Sequence, residues 1–222
     1  MLGFEAPWQR WHGLDRAFGA WSNDALQSFV THEGRCVELR RLRADGTPAL
    51  RRFTQDLSTQ SKGLRFHVTS LSNEAIERFV CDLPAGGGKA VGSWVWTPLG
   101  DPDTVVGEVR LAVAGASRGD AATHVELGIV IADDYQRQGI GLRSVQFVQA
   151  LARESGVAGI TASLLAHNRA IIGLLRYCDF ELAPDLDDPG MVHANWPRSD
   201  GFGSAAVMES GWQRLVSRLV GM

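Results

Sequence analysis

The sequence HVELGIVIADDYQRQGIGLR, from His124 to Arg143, reads as a strand, a glycine-containing turn and the beginning of a helix. Val125 to Ala132 is a short apolar run typical of a buried strand, and helical spacing begins after Gly141. A turn of this kind presents backbone N–H groups beside the positive end of the helix dipole, where anions bind. It therefore predicts an anion site, best suited to a pyrophosphate, at the end of a strand. An ordinary strand-to-helix connection is the alternative.

The composition is that of a soluble globular protein, with 222 residues, 45% of them hydrophobic and 21% charged. A net charge of −3 argues against a nucleic-acid binder that relies on a broad basic surface. No apolar run approaches the roughly 18 residues of a membrane span, and the N-terminus lacks the pattern of a signal peptide. Three cysteines without close spacing favour a reduced, cytoplasmic protein. The six histidines show no metal-ligand spacing, so we expect no structural metal.

The chain divides into a central domain, residues 34–198, with an addition at each end. Residues 1–33 are predicted to form an amphipathic helical extension, because aromatic residues recur there at helical spacing; they are Phe4, Trp8, Trp11, Phe18, Trp21 and Phe29. Residues 199–222 are predicted to form a linker and a terminal helix. We expect these terminal helices to pack on the central domain or to form the contact of a homodimer.

The patterns within the central domain predict alternating groups of strands and helices, that is, a mixed α/β sheet. Thr47, followed by Pro48, is the expected N-cap of a first helix, and Ser72 is that of a second. The polar run 58–62 between them is expected to be a loop. The predicted strands are 35–43, 91–97, 105–114, 123–132, 160–165 and the hairpin 180–183 with 191–196. Because a helix separates the strands at 123–132 and 160–165, those two are expected to be parallel.

The pattern Gln136-x-x-Gly139-x-Gly141 after a buried strand resembles the coenzyme A signature of the GNAT superfamily of acyl-CoA-dependent N-acyltransferases. The resemblance implies the GNAT fold, a mixed and mostly antiparallel sheet flanked by helices. It also implies an N-acetyltransferase that uses acetyl-CoA as cosubstrate and an amine as acceptor. The segment with Leu57-Ser58-x-x-Ser61, Arg65-Phe66 and Leu71-Ser72 is similar to bacterial protein lysine acetyltransferases of the Pat type. That similarity implies a protein lysine as the acceptor.

The resemblance also assigns cosubstrate-binding positions. The end of the strand would bind the pantetheine arm as an added strand, and the strand would separate there from the next one. The main-chain N–H groups of the turn would hold the pyrophosphate. Asn168 follows the later strand and opens a helix, so its position predicts an N-cap. The resemblance implies that it also forms a hydrogen bond to the pantetheine arm. The positions assigned in this way are Val130, Ile131, Gln136, Arg137, Gln138, Gly139, Ile140, Gly141, Leu142 and Asn168.

Glu126 lies in the middle of the strand at 123–132, where a buried carboxylate is costly unless it is paired. A solvated or ion-paired glutamate is one interpretation. The other is a general base with a raised pKa that removes a proton from the amine, and this position matches the catalytic glutamate of the Pat-type enzymes. His124 is a second candidate base, although a histidine at a strand end is more often an ordinary surface residue.

Two positions depart from the pattern of the superfamily. Leu175 stands where many members have a tyrosine that acts as general acid, and Tyr177 lies about 200° further around the helix. Asp179 replaces the usual glycine before Phe180 and must tolerate a left-handed backbone. Two alternatives stay open. One is a small-molecule amine or amino-acid acetyltransferase that uses the same site, and the other, motivated by these two departures, is a non-catalytic acyl-CoA-binding regulatory domain.

Overall fold

The structure, a computed structural model, describes residues 27–81, 90–113, 124–155 and 157–197. Eight strands form one sheet in the order β1-β2-β3-β4-β5-β6-β8-β7. They are β1 (Gln27–Val30), β2 (Cys36–Arg41), β3 (Ala90–Pro98), β4 (Gly107–Val113), β5 (His124–Ile131), β6 (Gly159–Leu165), β7 (Glu181–Pro184) and β8 (Met191–Trp196). β5 and β6 are parallel, as predicted, and the other neighbouring strands of the described sheet are antiparallel.

In the described part of the chain, five α-helices cover the two faces of the sheet. They are α1 (Thr47–Asp56), α2 (Thr59–Phe66), α3 (Asn73–Cys81), α4 (Ile140–Ser155) and α5 (Arg169–Tyr177). One hydrophobic cluster joins α4 and α5 to one face of the sheet, and a second joins α1, α2 and α3 to the other. The predicted fold class, a mixed and mostly antiparallel sheet flanked by helices, is therefore confirmed.

Alternation of side chains along the strands separates the two cores. In β3, Trp94 and Trp96 belong to the cluster with α4 and α5, whereas Val95 between them belongs to the other cluster. The indole Nε1 of Trp96 donates a hydrogen bond to Ser144 Oγ of α4 at 2.8 Å. This buried bond fixes the beginning of α4 relative to the centre of the sheet.

Residues 27–30 are a strand, and not the end of the helical extension that we predicted for residues 1–33. β1 pairs with β2 as an antiparallel hairpin, and its side chains alternate in exposure. Phe29, which also fits the helical spacing, packs edge-on against Trp96 with ring centroids 5.3 Å apart. The sheet therefore begins before residue 34, because pairing with β2 outweighs the local helical pattern.

The helix caps were predicted with mixed success. Ser72 and Asn168 are confirmed, since Ser72 Oγ accepts from Ala75 N–H at 3.2 Å and Asn168 Oδ1 from Ile171 N–H at 3.4 Å. Gly46, and not Thr47, is the N-cap of α1. The predicted loop at 58–62 is wrong, because α2 begins there with Ser58 as its cap. That short polar turn has no apolar periodicity from which a helix could be recognised.

Some of the sequence predictions lie outside the described residues. These are the helical extension over residues 1–26, the linker and the terminal helix over residues 199–222. Among the helices that the structure does describe, none has both the length and the apolar character needed to cross a membrane.

Candidate functional site

The two parallel strands separate near the middle of the sheet. β5 and β6 are paired only from His124 with Gly159 to Glu126 with Thr161. Beyond these pairs a cavity of about 430 Å³ opens, lined by residues 127–131 of β5 and 162–164 of β6. The separation that the resemblance implied is therefore present in the structure.

Main-chain groups of β5 face this cavity. The N–H of Ala132 donates to Val106 O beside β4, at 2.9 Å. Because these groups alternate sides along a strand, those of residues 127, 129 and 131 point towards the gap. Ile131 O already accepts from Gln136 Nε2 at 3.1 Å. Val130 uses its main chain on the β4 side, so it contributes only its side chain to the cavity wall and not the main-chain bond predicted for it. Ile129, which was not selected from the sequence, has main-chain groups on the cavity side that could bind an extended arm together with those of Ile131.

The turn from Arg137 to Gly139 has the geometry of an anion cradle. Arg137 and Gly139 have φ angles of 58° and 93°, and alternation of this kind makes successive N–H groups converge. In the described chain, no backbone carbonyl accepts from the N–H groups of residues 137–139. The first N–H groups of α4 also have no partner within the helix. Since Arg137, Gly139 and Gly141 line the cavity, the cradle forms part of its wall.

The other predicted residues of this turn support the cradle with their side chains. Gln138 is 2% exposed, and its Nε2 donates to Asp134 O at 2.7 Å. Ile140, the first residue of α4, is buried in the core that α4 and α5 share, and Leu142 lines the cavity. Gln136 Nε2 donates to Ser61 Oγ of α2 at 3.0 Å, as well as to Ile131 O. The side chains of Gln136, Gln138 and Ile140 therefore shape the turn.

Asp133 connects this turn to α2, a role that the sequence did not reveal. Its carboxylate accepts from Ser58 N–H at 3.1 Å, from Ser58 Oγ at 2.8 Å and from Ser61 Oγ at 2.8 Å. Partial burial disfavours the charged form, but these hydrogen bonds outweigh it and keep the pKa of Asp133 below its usual value. The start of α2 is thus bonded to the segment that leads into the cradle.

At the other end of the cavity, Arg65 of α2 lies against Gly128 of β5. A Cβ at Gly128 would be 2.4 Å from Arg65 Nη2, so this contact requires glycine. Arg65 Nη2 donates to Glu108 at 3.1 Å, and Arg110 Nε donates to the same carboxylate at 2.8 Å. Burial lowers the pKa of Arg65, and Glu108 acts in the opposite direction. A buried, ion-paired guanidinium therefore forms part of the cavity wall.

His67 follows α2 and lines the same end of the cavity. Its φ of 57° is left-handed, which is uncommon for a residue other than glycine. Burial lowers the pKa of His67 to about 4, with a further contribution from Arg65. The imidazole is therefore neutral at physiological pH. Neither Arg65 nor His67 was selected from the sequence as a site residue.

Glu126 is buried, with 3% of its surface exposed, on the same face of β5 as Gly128. Burial lowers the pKa of Arg65, but the negative charge of Glu126 acts to raise it, so the two groups are near enough to interact electrostatically. Gly128 and Arg65 line the cavity, whereas Glu126 is not among its lining residues. His124, the second candidate base, is exposed at the start of β5.

Helix α5 forms the remaining wall. Leu175 is fully buried and lines the cavity, as Asn168 does while it caps the helix. Tyr177 is 74% exposed, so it does not replace the tyrosine that many superfamily members have. Asp179 adopts the left-handed conformation expected of it, with φ of 62°. Within the described residues, no group of three or more His, Cys, Asp or Glu side chains could hold a metal ion.

Comparison with known proteins places the chain among acetyltransferases. The profile of the acetyltransferase (GNAT) family matches residues 62–180, more than half of the chain. The GNAT domain of S. lividans PAT is similar in fold, with a TM-score of 0.61 and 20% identity, over 77% of this chain and 95% of that one. A GCN5-related N-acetyltransferase from Kribbella flavida has a TM-score of 0.56 and 16% identity, over 73% and 98%. No curated protein sequence matches this chain.

A third solved structure has a similar fold. The ribosomal-protein-S5-alanine acetyltransferase from Vibrio fischeri has a TM-score of 0.54 and 14% identity, over 76% of this chain and 95% of that one. At such identities the likeness concerns the fold alone.

Proposed function

Because this chain belongs to the acetyltransferase (GNAT) family, we propose that it transfers an acetyl group from acetyl-CoA to a primary amine. The observation that carries the proposal is the cavity between the separated strands, with converging N–H groups in its wall. The N–H groups of residues 137–141 and the start of α4 supply the positive potential that a pyrophosphate needs. When bound there, acetyl-CoA supplies the acyl group as an activated thioester.

The open edge of β5 fits an extended arm. Residues 127 to 131 span roughly 13 Å, at about 3.3 Å per residue. An arm that begins at the cradle and runs along this edge ends near Gly128, where Arg65 and His67 lie. Main-chain groups of Ile129 and Ile131, together with Asn168, are the groups that would bind it. The acyl group would then lie beside the end of the cavity that is closed by α2.

Glu126 is the proposed general base, which takes up the proton that the amine loses as its nitrogen bonds to the acyl carbon and the thiolate leaves. Its position two residues from Gly128, on the strand that lines the cavity, supports this role. Because Glu126 is buried and does not line the cavity, a water molecule or a small displacement must carry the proton to it. The same burial also suits a different role, in which Glu126 only balances the charge of Arg65.

The substitution Glu126→Gln separates the two roles. As a base, Glu126 contributes about 10²- to 10⁴-fold to kcat, whereas the Kd of acetyl-CoA and the melting temperature stay unchanged. If Glu126 only balances the charge of Arg65, the melting temperature falls, because a buried charge loses its counter-ion. An unchanged kcat would exclude the base. Glu154→Gln, on the exposed side of α4, is the matched control and should behave like the wild type.

The acceptor that we favour is a protein lysine, by analogy with the Pat-type domains whose fold is similar. An assay of thiol release with a panel of peptides and small amines tests this choice, and turnover of small amines alone would favour a small-molecule acceptor. Leu175, at the position of the usual acid, favours a second candidate, a non-catalytic acyl-CoA-binding domain. That candidate predicts a thermal shift with acetyl-CoA but no thiol release with any amine.

A further inference from the structure

The turn between β1 and β2 lies against the anion cradle, although no sequence motif pointed to it. The N–H of His32 donates to Gln138 O at 3.3 Å, and Arg35 Nη1 donates to Asp134 O at 2.9 Å. The Arg35 guanidinium also stacks on the ring of Tyr135, 4.5 Å from its centroid. The hairpin is therefore bonded to the same turn that presents the converging N–H groups.

The turn itself is tightly bonded. The N–H of Thr31 donates to Arg35 O at 2.8 Å, and Arg35 N–H returns a bond to Thr31 Oγ1 at 3.1 Å. The N–H of Gly34 also donates to Thr31 O, at 2.9 Å. Residues 31–35 are thus held in one conformation, so the His32 backbone has a defined position relative to the cradle.

The imidazole of His32 lies beside Gly139 of the cradle, as does the ring of Phe29. A Cβ added to Gly139 would lie 3.5 Å from His32 Nε2, an ordinary van der Waals distance. Gly139 is one of the two residues of the cradle with positive φ. Because glycine has no side chain, the space between its Cα and the imidazole of His32 is open. His32 lines the same cavity as Arg137, Gly139 and Gly141, and it is otherwise exposed.

We propose that His32 is a phosphate ligand of the acyl-CoA site, with its ring N–H donating to an oxygen of a phosphate held by the N–H groups of residues 137–139. This inference rests on the proposed function. It assigns a binding role to a residue that lies about 105 positions before the glycine motif and outside the residues matched by the family profile. The N–H groups of the cradle and the ring of His32 would enclose the anion from two sides.

The test is the Kd of acetyl-CoA, measured by calorimetry, for the wild type, His32→Phe and His32→Gln. Phenylalanine keeps a planar ring without an N–H, so we expect about 10-fold weaker binding, equivalent to about 1.4 kcal/mol. Glutamine retains a donor and should lose less. Val30→Ala, on the exposed side of the same hairpin, is the control and should bind as the wild type does.

A parallel titration with 3′-dephospho-acetyl-CoA identifies the phosphate. A 10-fold loss that persists assigns the contact to the pyrophosphate, and a loss that disappears assigns it to the 3′-phosphate. Equal affinities of His32→Phe and the wild type for acetyl-CoA would overturn the inference, as would the same loss in Val30→Ala. If the wild type itself shows no heat of binding with acetyl-CoA, the proposed function fails instead.

Discussion

Acidification from about pH 7.5 to about pH 5 should destabilise the wild-type protein by about 2 kcal/mol more than the variant His67→Asn. His67 lines the cavity with its pKa lowered from 6.5 to about 4 by burial and by Arg65. In the unfolded chain the imidazole takes up a proton below about pH 6.5, whereas the folded protein resists this until about pH 4. The depressed pKa therefore stabilises the fold above pH 6.5, and the stabilisation is lost as the pH falls towards 4.

The magnitude follows from the interval between the unfolded pKa and the experimental pH. At about pH 5 that interval is roughly 1.5 units, and each unit corresponds to about 1.36 kcal/mol, which gives about 2 kcal/mol. Asparagine suits the comparison because it tolerates the left-handed φ of 57° at this position and does not titrate. Carboxylates elsewhere titrate equally in both proteins and cancel in the difference.

Urea unfolding at the two pH values measures this difference. The wild type should lose about 2 kcal/mol more of its free energy of unfolding than His67→Asn does. If the two proteins lose the same free energy, the imidazole is not held neutral in the folded state. In that event His67 would also not be a neutral group beside the acyl end of the cavity.

Three further substitutions test the geometry of the site. Gly128→Ala should lower the free energy of unfolding, measured by chemical denaturation, by about 2 kcal/mol, because its Cβ would lie 2.4 Å from the buried guanidinium of Arg65. Gly173→Ala is the control and should lose no stability, because its Cβ would have no neighbour within 4 Å. Gly139→Ala and Gly100→Ala should each lose about 1–2 kcal/mol, since both positions have positive φ. Only Gly139→Ala should also weaken binding of acetyl-CoA by titration, and equal binding in both variants would contradict the cradle. Asp133→Asn should lower the melting temperature at neutral pH, because the charged carboxylate is lost. The difference from wild type should shrink as the pH falls below 3.8, the ordinary value for the carboxyl, and vanish only below the lowered pKa of Asp133 in the folded protein; a difference that does not shrink with acidification would contradict the role of its charge.

Much of the fold and the core of the site can be predicted from the sequence. The buried strand, the glycine turn and the helix after it depend on neighbouring residues, as does the cap at Asn168. The left-handed backbone at Asp179 was expected on the same grounds. Local sterics and local hydrogen bonds determine such features, and a short window of sequence contains all the groups involved.

Other parts of the site escaped prediction because their partners are distant in the chain. Ser58 and Asp133 are 75 residues apart, so neither the cap of α2 nor the pKa of that carboxylate could be foreseen. For Glu126, the sequence left a paired glutamate and a base equally open. Burial beside Arg65 is a result of packing α2 on the sheet, and the choice between the two roles now depends on one substitution.

The glycine turn at residues 136–141 thus specifies, from its local backbone conformation, where we propose that an anion binds. The walls of the site depend on the order of the strands and on how α2 and the β1–β2 hairpin pack. Strand order brings Gly128 beneath Arg65, and hairpin pairing brings His32 to Gly139. Such contacts join residues that no local pattern connects, because burial and hydrogen bonding across the sheet select them only once the chain has folded.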